Sequence, residues 1–174
     1  MLLRSSALAL SLLAVPALAQ SDAELTSADR VAAIIIGFSG NGTAMVHGSE
    51  TANVTRDGAG KFSGTVEETG APFSFDVVET TPCVFDATYA SGDLRVTLAV
   101  DVTRIRQFTF EEREPQAGYT FFNLTLDAAA GAVQTVAEDG VRRNAGGRNT
   151  IGSSLTLDEL NGAAAALQQA CPAA

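Results

Sequence analysis

The sequence predicts an α+β fold: an antiparallel, meander-like sheet of about six to eight strands, curved or partly closed, with an N-terminal and a C-terminal helix packed on it. Three observations carry that expectation. Apolar residues recur at a period of two through the middle of the chain. They recur at helical spacing near both ends, and the strand-like segments follow one another closely. Parallel neighbours need crossovers of a dozen or more residues, whereas short turns join antiparallel strands. A small closed barrel with an appended helix is the alternative.

Residues 1–19 have the layout of a secretory signal peptide. Arg4 supplies the basic start, residues 7–15 (ALALSLLAV) the apolar stretch, and Ala17-Leu18-Ala19 a small-x-small cleavage site. A spanning helix needs about 20 apolar residues, and this stretch is shorter and broken by Pro16. Residues 20–174 are then a single exported α+β domain, periplasmic or extracellular, with no stable membrane insertion.

The first helix follows. Thr26 or Ser27 offers an N-cap, Asp29 lies in the first turn, and Val31, Ile34, Ile35 and Phe38 recur at helical spacing before or across Gly37, a C-cap candidate. The run Ile34-Ile35-Ile36 also suits a strand, and the capping signals favour the helix. Residues 39–60, rich in glycine, asparagine and threonine, read as turns around short strands.

Alternation is clearest next. Phe73, Phe75 and Val77 oppose Ser74 and Asp76, and Leu94, Val96, Leu98, Val100 and Val102 alternate with smaller or charged residues. Further strands are expected over 61–67, 83–89, 105–110, 119–126 and 132–137, with turns at Ser91-Gly92, 115–118 and Ala130-Gly131. Residues 140–149 read as a glycine- and arginine-rich loop. Thr156-Leu-Asp-Glu159 is a capping box that starts the last helix, and Pro172 stops it.

Cys83 and Cys171 are the only cysteines. Export to an oxidising compartment makes an even pair a disulfide. Cys83, Phe85, Ala87 and Tyr89 share one strand face, and Leu157, Leu160, Ala164, Leu167 and Cys171 one helix face. A bridge between those faces fastens the helix to the sheet and stabilises by on the order of 2–5 kcal/mol.

Net charge is −9, and removal of Arg4 with the signal peptide takes it to −10. Such acidity opposes nucleic acid and anionic membranes and favours solubility. The near absence of lysine, with Lys61 alone against ten arginines, reads as a coding bias. Three sequons begin at Asn41, Asn53 and Asn123; they are glycosylation acceptors only in a eukaryotic pathway.

The motifs for chemistry are weak. Gly37-Phe-Ser39-Gly40-Asn41 lacks the last glycine of a nucleophile elbow, and the glycines here miss the dinucleotide fingerprint at Met45. His47, the one histidine, reads as a solvated loop residue. Glu111, Glu112 and Glu114 read as a charged turn. No metal set and no cofactor motif is present, so neither a metal nor a cofactor is expected.

Two candidate sites stand out. Arg142, Arg143 and Arg148 in a glycine-rich loop can wrap an anion. Phe108, Phe110, Tyr119 and Phe121, on adjacent strands, can line a pocket for an apolar ligand. The resulting expectation is a non-enzymatic binding or interaction domain of the cell envelope, its partner left open between an envelope protein and a small apolar ligand. A carrier of a small apolar ligand is the alternative, and a hydrolase of unknown type the least favoured.

Overall fold

A computed structural model of the chain describes residues 25–37, 40–45, 51–116, 119–137, 139–146, 148–153 and 155–174. Residues 1–19, whose layout predicts a signal peptide, and Ser39 and His47 lie outside the described residues. The fold is α+β, with an antiparallel sheet of eight strands, a second sheet of three, and two helices.

Helix α1 (Ser27–Ile36) begins at Thr26, whose hydroxyl accepts from the Asp29 N–H while the Asp29 carboxylate accepts from the Thr26 backbone, and it ends at Gly37. Its residues Val31–Ile35 are buried. The large sheet starts with β1 (Gly42–Met45), β2 (Thr51–Gly58), β3 (Lys61–Val66), β4 (Pro72–Thr81), β5 (Val84–Ser91) and β6 (Leu94–Asp101), each paired with the next. Burial alternates as the period of two requires: Phe62, Phe73, Phe75, Val77, Phe85 and Ala87 form one face.

Along β6 burial departs from the expected alternation: Leu94 and Val96 are exposed near the hairpin turn, while the adjacent Ala99 and Val100 are both buried at the other end. Val102 and Ile105 are both buried, and a 3-10 turn, Val102–Arg104, separates β6 from β7 (Ile105–Gln116). β7 pairs with β8 (Tyr119–Ala128), and the chain returns through residues 129–132 to β9 (Val133–Val136), which pairs with β6. The result is one long hairpin whose proximal half belongs to the large sheet and whose distal half belongs to the small one. β10 (Arg142–Asn144) and β11 (Arg148–Ser153) repeat the pattern, β10 beside β9 and β11 beside β8. Strands that switch sheets in this way make a corner. β1 lies alongside β11, so the two sheets are partly closed around a core shared with both helices.

Helix α2 (Leu157–Ala170) starts with the Thr156/Glu159 capping box and buries Leu160, Ala163, Ala164 and Leu167 against α1 and the β7 side. Cys171 is bonded to Cys83, with an S–S distance of 2.09 Å. Three further contacts fasten the same flank of the corner. Val102 N–H donates to Cys83 C=O at 3.0 Å, Ala174 N–H to Thr103 C=O at 2.9 Å, and Gln168 Nε2 to Arg106 C=O at 2.8 Å. The last of these covers part of the free edge of β7. Its exposed remainder carries Glu111, Glu112, Arg113 and Glu114, charges that oppose edge-to-edge pairing.

Two sequence expectations change. Cys83 does not open a strand but occupies the turn before β5, at a positive φ of 64°. The segment 140–149 is not one loop, because β10 and the start of β11 lie within it. Among the described residues no helix is long and apolar enough to cross a membrane.

Candidate functional site

Two arrangements of polar groups emerge, and they differ in kind. The first is internal. Asp29 is fully buried in the first turn of α1, and its carboxylate accepts from Thr26 N–H and Oγ1, from Arg56 Nε at 3.0 Å and Nη2 at 2.8 Å, and from Gly60 N–H at 3.0 Å. Burial alone raises a carboxyl pKa, but the Arg56 guanidinium, the Gly60 amide and Thr26 outweigh it and hold Asp29 at about 2. Every acceptor site faces a donor, so this group welds α1 to β2 and the β2–β3 turn. It has nothing left with which to bind a ligand.

The second arrangement lies on the other flank of the corner. Residues 128–132 read Ala-Ala-Ala-Gly-Ala, and where they pass residues 144–146 a pocket of about 180 Å³ opens. Leu126, Val133, Asn144 and Gly146 complete its wall. Gly131 takes a φ of +80°, which glycine adopts without cost. A Cβ added there would stand 3.4 Å from Arg104 Nη1, 3.4 Å from Gln134 Nε2 and 3.7 Å from Asn144 Oδ1. Side chains from the 3-10 turn, β9 and β10 therefore converge on one backbone position. Among the described residues the ion pairs are Arg56–Asp29 and Arg106–Asp127, so Arg104 forms none there.

The predicted arginine set lies along β10 and β11, beside this corner. Arg142 and Arg143 are exposed on β10, opposite Val136 and Thr135, and neither forms an ion pair among the described residues. Arg148 opens β11. Of the aromatic set, the three residues whose side chains are described divide between two faces. Phe108 and Phe110 point into the core from β7, whereas Phe121 is on the face of β8 opposite the buried Phe122. Tyr119 opens β8.

Sequence reasoning missed Arg104, Gln134 and Asn144. A usable signal was present: Val102 and Ile105 break the period of two, which marks the sheet switch, and the small-residue run at 128–132 lies at the matching point of the partner strand. Scans against family models, curated proteins and solved structures find no match to the chain.

Proposed function

We propose that the protein is an exported, non-catalytic binding module whose contact surface is the open flank of the sheet corner. One observation carries the reading. Arg104, Gln134 and Asn144, from three separate elements, converge at Gly131 beside a solvent-open pocket. Among the described residues Arg104 lacks a carboxylate partner, in a chain with 20 acidic residues against 11 basic ones. A guanidinium kept free in such surroundings is available to an external ligand. The disulfide supports an extracellular or periplasmic setting, and the layout of residues 1–19 supports export.

The apolar-carrier alternative draws less support. Apart from the exposed Val78, Leu94, Val96 and Val141, most large apolar side chains of the described residues pack into one cluster between sheets and helices, and a pocket of about 180 Å³ is smaller than the roughly 300–1,000 Å³ of sites for drug-sized ligands.

Native mass spectrometry of the protein recovered from the medium or envelope of its own cells tests the reading. The expected result is a bound species that is lost from the Arg104→Ala/Arg142→Ala/Arg143→Ala variant. An identical bound species on both proteins, or none on either, contradicts it.

A further inference from the structure

Two strand edges meet no neighbouring strand among the described residues, and they carry opposite charge. Of the four strands that end the two sheets, β1 and β11 lie beside each other. That leaves β10 and the distal half of β7, beyond the Gln168 contact at Arg106. The β10 edge carries Arg142 and Arg143, exposed and free of ion pairs among the described residues, with Val141 47% exposed just before them. The β7 edge carries Glu111, Glu112 and Glu114 around Arg113, three acids against one base for a local charge of −2. These side chains are exposed too, and form no ion pair among the described residues.

The backbone of β10 is aimed outward as well. Ala137 N–H donates to Val141 C=O at 2.9 Å, and Ala145 N–H to Val133 C=O at 3.0 Å. Bonded pairs alternate along an antiparallel ladder. Arg143 therefore spends its backbone groups on Thr135, and those of Arg142 and Asn144 point away from β9. No strand lies beyond them among the described residues. Such an unpaired row is a template for another strand, and charge decides which one. Two β10 edges would set arginine against arginine, and two β7 edges glutamate against glutamate. Each like pairing is opposed, and the unlike pairing is complementary.

We infer that the chain associates head to tail: the β10 edge of one copy pairs with the distal β7 edge of a second, Arg142 and Arg143 facing Glu111, Glu112 and Glu114. The two surfaces differ, so the contact is heterologous and builds a ring or an open filament, not a two-fold dimer. The chain carries a net charge of −9, which by itself drives copies apart most strongly at low salt. Complementary edges act in the opposite sense, so association that is strongest at low salt is their signature.

Sedimentation equilibrium of the disulfide-bonded protein over a concentration series tests the inference. At about 10 mM salt the weight-average mass should climb past that of a dimer, and at about 1 M salt it should return to that of the monomer. Arg142→Glu/Arg143→Glu and Glu111→Lys/Glu112→Lys/Glu114→Lys should each weaken association at least about tenfold. The variant carrying both sets should regain it. Where a reversal unfolds the chain, Arg142→Ala/Arg143→Ala and Glu111→Gln/Glu112→Gln/Glu114→Gln take its place. Each of these should stay monomeric alone, and their mixture should stop at a heterodimer. Amide exchange in the associated protein should slow at Arg142 and Asn144 and stay unchanged at Arg143.

A chain that is monomeric at low salt up to about 1 mM overturns the inference. So does association that strengthens with salt, a doubly reversed variant that stays weak, or protection gained at Arg143 in place of its neighbours. None of these outcomes touches the bound species that tests the binding-module reading, which stands or falls separately.

Discussion

The two flanks of the sheet corner are built from the same strands and have opposite character. On the α2 side, Val102 and Ile105 are fully buried, Cys171 is bonded to Cys83, and the backbone groups of Val102, Thr103 and Arg106 each meet a partner from another element. On the β9–β10 side, the matching stretch carries alanine and glycine, and a pocket remains. Bending a sheet does not demand the second solution, since the first flank bends with a packed interior. Folding therefore explains the closed flank, whereas the open one forgoes apolar burial that larger side chains would supply. The arginines repeat the lesson. Arg56 is paired with the buried Asp29 through Nε and Nη2, whereas Arg104 meets no carboxylate among the described residues.

That contrast breaks most visibly if the closed flank is cut. Replacing both cysteines by serine releases an 88-residue separation and should cost about 4 kcal/mol in denaturant unfolding, on the chain-entropy account of such bridges. A loss under about 1 kcal/mol, below the usual range for such bridges, would mean that packing alone seals that flank.

The Asp29–Arg56 weld comes next in size. The Asp29 carboxyl lies at about 2 in the folded protein against 3.8 as its ordinary value. A lowered folded-state pKa stabilises above the unfolded value, and that contribution is lost as pH falls from about 4 through about 2. It amounts to about 2 kcal/mol. The stability gap between the natural protein and Asp29→Asn should therefore be widest at pH 5 and narrow toward pH 2. A gap that does not change with pH would show that the ion pair adds nothing beyond its neutral hydrogen bonds.

The smallest effect should come from the open flank. Arg142→Ala and Arg143→Ala, at exposed positions free of ion pairs among the described residues, should each change stability by less than about 0.5 kcal/mol. A larger loss in thermal unfolding would assign these arginines to the fold.

Much of this architecture was legible in the residues. Strict alternation through Phe73–Val77 and Leu94–Val100 specified the strands, the Thr156/Glu159 box specified α2, and an even pair of cysteines specified the bridge, although Cys83 lies in the turn before β5 and not on its apolar face. The short strands β10 and β11 were hidden because Gly140, Gly146 and Gly147 surround them and hydrophobic patterning is weak there. The ion pair was illegible for a different reason. Asp29 reads as an ordinary first-turn acid and Arg56 as an ordinary strand residue, and only the tertiary approach of α1 to β2 brings them together. Arg104 escaped notice likewise, since its value comes from Gln134 and Asn144, which the sheet switch delivers from strands far along the chain.

Hydrogen exchange of the disulfide-bonded protein, resolved at single amides, compares the two flanks directly. The account predicts that Val102 and Cys171 exchange only through global unfolding, whereas Ala132 and Ala145 exchange through local opening. Equal protection of both pairs would contradict it.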